Sequence, residues 1–458
     1  MHPPYACGHL PRAAHNTMSF RLAGVVLPRW MPLLARRTFA YEMVATLFFT
    51  LAISMIEGGV ISVFARQTFD GIVPQRTLNF SVALLGAMNE LANILSFIWN
   101  SMSAGRRLVP FINMLQVIVI GTICFISLLP GAPWGLGLLV ALVLAARLSW
   151  SGMITMRTGV WRANYPPNKR ARIVGLLSSA QMVIVSLGGA GLGFVLDRWA
   201  DGFRLLIPVA CVMAMVAVWS YGRIRVRREY KVLRDPGGPV LKPWQGPLIV
   251  WRVLQRDRRY AQFMLCMFIL GFGNLMLNPI LVISLREQYG FGYFNSILIT
   301  SAIPSLVQVV VIPLWARFLD RSHVVRFRSI HSWVFVGGAL LFMLGAAFHQ
   351  VAFMYAGAIV QGCAYAGGAL AWNLGHVDFS PPSQTSQYMA THVTLNGLRG
   401  LVAPVFSVML FEVFKAEGWP AATLLFTFGM VLNAVGAAGF VMLRRSMGAE
   451  ASRVARGN

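Results

Sequence analysis

Residues 165–193 read YPPNKRARIVGLLSSAQMVIVSLGGAGLG and residues 380–408 read SPPSQTSQYMATHVTLNGLRGLVAPVFSV; laid over each other without a gap, Pro166-Pro167 falls on Pro381-Pro382. A second match, at an offset of 221, sets Phe39 to Ser62 on Tyr260 to Ile283 and brings Met55-Ile56-Glu57-Gly58 opposite Met276-Leu277-Asn278-Pro279. Self-similarity at a fixed offset marks a duplicated structural unit. Crossing a bilayer takes about 20 mainly apolar residues, and a helix there satisfies its own backbone hydrogen bonds. Twelve segments meet that requirement, near 41–65, 78–102, 108–129, 133–157, 171–196, 204–222, 260–285, 292–316, 327–348, 351–377, 386–413 and 420–443. Both matches join segments six apart, an even number, so the halves have parallel topology about an axis along the membrane normal. The expected fold is an all-α membrane protein of twelve transmembrane helices in two six-helix bundles.

Composition agrees. Soluble domains are roughly 25% charged; this 458-residue chain is 12% charged and 57% hydrophobic, with a mean hydropathy of +0.64. A soluble fold could not bury that much apolar side chain, so a lipid bilayer has to surround it. The net charge of +24 raises the alternative of a nucleic-acid surface, which the placement of the charge argues against. One set of alternating connections holds 31 of the 39 Lys and Arg, the other holds six, and Arg147 and Arg399 lie within helices. Basic loops stay cytoplasmic, so both termini are expected inside, and Arg-rich, Lys-poor usage suggests the inner membrane of a GC-rich bacterium.

Five cysteines, Cys7, Cys124, Cys211, Cys266 and Cys363, form no CxxC pair and no metal-ligand spacing with His. Neither a metal, a cofactor nor a disulfide framework is expected. The organisation reads as a basic N-terminal segment (1–40), a first bundle (41–222), a basic linker (223–259) with the breaker run Asp235-Pro236-Gly237-Gly238-Pro239, a second bundle (260–443) and a tail (444–458). Met18 to Arg37 is expected to lie on the cytoplasmic surface.

With its repeat and topology, the chain over roughly residues 38–445 resembles the major facilitator superfamily (MFS). That family carries Gly-x-x-x-Asp-Arg-x-Gly-Arg-Arg after its second helix; here Gly105-Arg106-Arg107 remains and Met102 stands where the Asp belongs. Asp320-Arg321 occupies the matching loop after the eighth helix, with Ala316 in place of the leading Gly. Arg147 looks like the family's buried fourth-helix Arg, although the following Gly152 is one place late, and the run Gly188 to Gly193 lacks the Gly-Pro pair of the drug antiporters. The resemblance implies a transporter rather than an enzyme, a first helix lining a central cavity, a coupling role for Arg147 and a functional monomer.

Ionisable residues inside a membrane are expensive and mark pathways by default. Glu57 is a candidate proton or cation carrier, or else a structural partner of Arg147. Glu90, Asn93 and Asn100 share a face of the second helix beside Asn89, as a pathway lining or as interhelical hydrogen bonds. Tyr388, His392, Asn396 and Arg399 recur at spacings of four, four and three, where the first-half copy reads Ile173, Leu177, Gln181 and Ile184. A stripe polar in one half only fits a solute- or proton-facing role for His392, Asn396 and Arg399. Asn373, His376 and Asp378 form a candidate gate or a solvated, capped helix end, and Arg106, Arg107, Asp320 and Arg321 join it as conformational coupling residues. Arg157, Arg162, Arg170 and Arg172 read as topology determinants or lipid-headgroup contacts, and Gly188 to Gly193 and Gly362 to Gly368 as close-packing surfaces.

With no GxxxxGK[ST] loop, an ion gradient is the remaining energy source. The expected function is secondary active transport of a small solute by alternating access, coupled to protons, with efflux of a drug-like or metabolite solute as the favoured direction. The alternatives are a facilitator or organic-anion carrier in which Arg147 and Arg399 clamp the solute, and a transporter-like sensor or scaffold.

Overall fold

A computed structural model describes residues 21–22, 25–26, 31–95, 99, 102, 106–227, 229–230, 246–319, 321–376, 378–380 and 385–457. Apart from a two-residue antiparallel pairing of Arg21–Leu22 with Val25–Val26, its regular structure is helical. The first bundle contains α1 (Leu33–Ser54), α2 (Gly58–Thr68), α3 (Gln75–Ile94), α4 (Leu108–Phe125), α5 (Pro133–Asn164), α6 (Pro167–Arg198) and α7 (Phe203–Tyr221). A linker helix, α8 (Gly246–Arg256), precedes α9 (Arg258–Glu287), α10 (Tyr293–Ile297), α11 (Ile303–Leu319), α12 (Val324–Phe348), α13 (Val351–Leu374), α14 (Thr385–Ala416) and α15 (Ala421–Gly457). The pair α1–α2 makes one crossing, and α10 and α11, joined by a π-helical turn at Leu298–Ala302, make another. Ten crossings are long and apolar enough to span a membrane by composition, and α3 and α13 complete the expected twelve.

Local chemistry sets the helix ends. Pro167 occupies the first turn of α6, where its missing N–H leaves no intrahelical bond unmade. Asp257 caps α9 by accepting from the Tyr260 N–H at 2.9 Å. The first helix begins at Leu33, earlier than the apolar run that starts near Tyr41, so the end of the expected surface segment is already helical. Residues 1–20, the breaker run, Asn100, Gly105, Asp320 and Pro381-Pro382 lie outside the described residues.

The same packing pattern occurs twice. In the first bundle α1 packs on α6 and α7, α4 on α5, and α3 on α5; in the second, α9 packs on α14 and α15, α12 on α13, and α11 on α13. Between bundles, α3 lies along α14, and α6 lies along α10 and α11. Small residues bring these helices together: a Cβ on Gly193 would stand 2.9 Å from the Phe294 backbone. The outer surface is apolar, with Val212 and Val310 each 71% exposed, the opposite of a water-soluble surface and suited to acyl chains.

Two ends of the molecule can be told apart. The basic end carries the Arg-rich connections; at the opposite, distal end the halves are locked by ions. Arg66 on α2 is 2% exposed and pairs with Asp70 and with Glu287 at the end of α9, each at 3.0 Å. Arg286 joins Asp70 at 3.0 Å and Lys415 joins Glu287 at 2.7 Å. Two of these pairs, Arg66–Glu287 and Asp70–Arg286, join the halves. Arg66 and Glu287 are 221 residues apart, the offset of the repeat, so equivalent positions of the two halves meet.

Candidate solute site

Between the bundles lies a cavity of about 600 Å³ lined by both halves, within the size range of small-molecule sites. The first crossing faces it through a break. Helix α1 ends at Ser54 and α2 starts at Gly58, with Glu57 extended between them (φ −61°, ψ 144°). A broken helix leaves carbonyls unpaired, and Arg147 of α5 donates to the Ile56 carbonyl at 2.6 Å. The same guanidinium stands 3.5 Å from Glu57. Arg147 is 4% exposed and Glu57 37%, so the arginine forms the wall and the carboxylate faces the cavity. The pair bridges the first crossing and α5, and its acid is accessible from the cavity.

Across the cavity, Glu90 and Asn93 of α3 meet Asn396 and Arg399 of α14, and all four line the space. The Asn396 amide links the halves, donating through Nδ2 to Glu90 at 2.5 Å and accepting through Oδ1 from Arg399 at 2.5 Å. Gly400 lets this crossing approach, since a Cβ there would overlap the Glu90 side chain. Further polar groups complete the wall: Asn274 accepts from Gln361, and Tyr365 donates to Asn278 at 3.1 Å.

The polar face expected on the eleventh crossing divides along its length. Asn396 and Arg399 line the cavity; His392, 1% exposed, is packed edge-on against Trp372 outside the cavity lining, with both ring nitrogens unbonded among the described residues. Tyr388 belongs to an aromatic cluster at the basic end, donating to Asp257 at 3.0 Å. Of the expected gate residues, Asp378 accepts from the Val324 N–H at 2.7 Å and so caps α12 rather than its own helix. His376 is buried beside it and Arg321 is exposed in the turn before α12. Arg106 lies over the Phe111 ring and Arg107 pairs with Glu229 at 3.2 Å, contacts that stay on the first-bundle side.

Other buried ions went unread in the sequence. Arg157, expected as a topology or headgroup residue, is 7% exposed and bonded to Glu42 at 2.8 Å and Thr46 at 2.8 Å. Glu42 is fully buried and also accepts from Trp161 and Tyr165, each at 2.5 Å. Arg328, counted with the basic loops, is 3% exposed in the second turn of α12 and lines the cavity beside His331. The one sequence signal for Glu42 and Arg157 was an acid at the start of the first apolar run and a base at the end of the fourth, positions that alternation puts on the same side of the membrane.

Two matched six-helix bundles with an apolar outer surface, and between them a cavity into which Glu57, Glu90, Arg147 and Arg399 are set, define a multi-pass membrane transporter of small solutes. The profile of the Major Facilitator Superfamily matches residues 43–330 and 263–457, and the chain belongs to that superfamily. Among solved structures it is similar to the nucleoside transporter NupG (14% identity, TM-score 0.64, 90% of this chain and 99% of that one). It is also similar to a bacterial homolog of the human lysosomal transporter Spinster in an inward-facing state (15%, 0.63, 89% and 97%) and to a D-xylose-proton symporter (14%, 0.64, 88% and 97%). No curated protein matches the chain by sequence.

Proposed function

We propose that the protein is a secondary active transporter that carries a small polar solute across a bacterial cytoplasmic membrane by alternating access, as a monomer with both termini inside, and that protons drive it. The observation that carries this reading is the central cavity: it is built from both halves and holds Glu57 and Glu90, while the Arg66–Glu287 and Asp70–Arg286 pairs tie the halves together at the distal end. With basic loops on the cytoplasmic side, the ion-paired end is periplasmic, and its closure in this scheme makes the arrangement the inward-facing member of the cycle. Rocking of one bundle against the other would break the distal ion pairs and close the basic end.

Glu57 and Glu90 are the proton carriers in this scheme, because they are the carboxylates that line the cavity among the described residues. Reconstituted protein with a pH-sensitive dye trapped inside the vesicles tests it. An imposed pH gradient should drive solute-dependent proton flux, and Glu57→Gln or Glu90→Gln should reduce that flux at least tenfold. Unchanged flux in both variants overturns proton coupling. Orientation is tested separately: a cysteine at Arg225 should resist an impermeant maleimide in intact cells, and labelling there reverses the assignment of the two ends.

A further inference from the structure

The wall of the cavity contributed by the second bundle holds two guanidinium groups with no carboxylate bonded to either among the described residues. Arg328 on α12 and Arg399 on α14 are 3% and 9% exposed, and both line the cavity. Each leaves its Nε without a hydrogen-bond partner among the described residues. Arg328 reaches His331 Nδ1 at 3.2 Å and Met267 Sδ at 2.7 Å; Arg399 donates to the Met267 carbonyl and to Asn396 Oδ1. All four acceptors are uncharged, and Met267 touches both arginines. Gly271 makes room for this arrangement, because a Cβ there would fall on the Arg399 guanidinium.

Charge counting then singles out the ligand. Glu57 balances Arg147 at 3.5 Å. Glu90 can offset one of the remaining two arginines, through Asn396, and one guanidinium is left over. A guanidinium cannot shed its proton, and its planar fork matches the two oxygens of a carboxylate or phosphate. The other titratable groups facing the pair are Cys266 on α9, His331 on α12, His376 after α13 and His392 on α14, while α15 supplies the Phe440 ring 5.2 Å from Arg328. None of these carries a negative charge as a thiol or imidazole.

We propose that Arg328 and Arg399 form an oxyanion subsite for a carboxylate or phosphate borne by the transported solute, and that protonation of Glu90 releases Arg399 to it. This deepens the transport reading and rests on it. A deprotonated Glu90 holds the Asn396 amide, whose oxygen holds Arg399; a protonated Glu90 loosens that chain and frees the guanidinium for the solute. Proton and anion therefore bind together and travel in the same direction, inward under an inward proton gradient, in place of the exchange that efflux requires. Arg147 takes no part, being engaged by Ile56 and Glu57.

Thermal unfolding of the purified full chain, at constant ionic strength and at about pH 6 and about pH 8, tests the subsite. The probes are inorganic phosphate, succinate and benzoate, with tetraphenylphosphonium as the cationic control. At least one oxyanion should raise the midpoint, more at the lower pH, and the pattern across the probes separates phosphate from carboxylate recognition; the cation should leave the midpoint unchanged. Arg328→Gln and Arg399→Gln should weaken binding at least tenfold, with Arg399→Lys as the substitute if the glutamine variant does not accumulate. Glu90→Gln should bind at both pH values alike. The proposal is overturned if no oxyanion stabilises the wild type, if the arginine variants bind as it does, or if the pH dependence survives Glu90→Gln. Binding without flux in vesicles would remove the transport reading and leave the subsite; flux of a neutral or cationic solute without oxyanion binding would do the reverse.

Discussion

At Glu57 the first half breaks its helix and sets a carboxylate beside Arg147; at the equivalent Asn278 the second half keeps α9 helical through Pro279 and sets a neutral amide beside Tyr365. The basic end repeats the contrast. Glu42 and Arg157 form a buried ion pair in the first half, whereas Phe263, the position that corresponds to Glu42, sits in an aromatic cluster with Tyr260, Phe379 and Phe440. On the eleventh crossing the imbalance reverses, with Arg399 where the first half has Ile184. Duplication has preserved the packing plan and let the ions diverge. The first half pairs its buried Arg147 and Arg157 with its own carboxylates at 3.5 Å and 2.8 Å, and the second leaves cationic charge facing the cavity.

The sharpest way to break this comparison is at the basic end. Arg157→Leu strands the Glu42 carboxylate in a dry site, a defect worth about 3–5 kcal/mol, while Phe263→Met in the other half should cost less than about 1.5 kcal/mol. Thermal unfolding of the two variants should therefore separate widely, and equal midpoints would erase the distinction between the halves. At mid-depth, Glu57→Gln should reduce proton flux at least tenfold and Asn278→Asp less than threefold; the reverse order would move the carrier to the second half.

The distal cluster offers two smaller effects. Arg66→Glu places like charges beside Glu287 and Asp70, and the double exchange Arg66→Glu, Glu287→Arg restores the attraction across the halves. Spin labels at the exposed Thr77 and Glu417 should report a three- to tenfold gain in the distally open population for the single variant and recovery for the double. Burial works to raise the Asp70 carboxyl, but hydrogen bonds from Gln75, Arg66 and Arg286 and the Arg66 charge outweigh it and hold it below its ordinary value. A lowered carboxylate contributes fully above the unfolded value near 3.9 and is lost only as pH falls below that. The same labels should accordingly show no change attributable to Asp70 between about pH 8 and about pH 5, and opening within that range would assign the titration to another group.

The crossings, the parallel repeat and four of the cavity's ions, Glu57, Glu90, Arg147 and Arg399, were legible because each depends on a pattern along the chain: apolar length, a fixed offset, or a charge deep in an apolar run. Arg328 and Arg157 were not, because each lies at the edge of an apolar run, where a shift of one turn decides between headgroup and bundle interior. Sequence gives that depth only to within several residues. The break at Glu57 had the weak signal of Gly58-Gly59, and the distal cluster had none, since Arg66 and Glu287 meet only when the two halves are assembled.

That last contact has a consequence for how such a molecule could come apart. Because Arg66 and Glu287 occupy equivalent positions near the axis relating the halves, a homodimer of first halves would set arginine against arginine there, and a homodimer of second halves carboxylate against carboxylate. Only the mixed pairing is attractive. Expressed as two separate polypeptides, the halves would thus carry at this point their own rule for choosing each other over themselves.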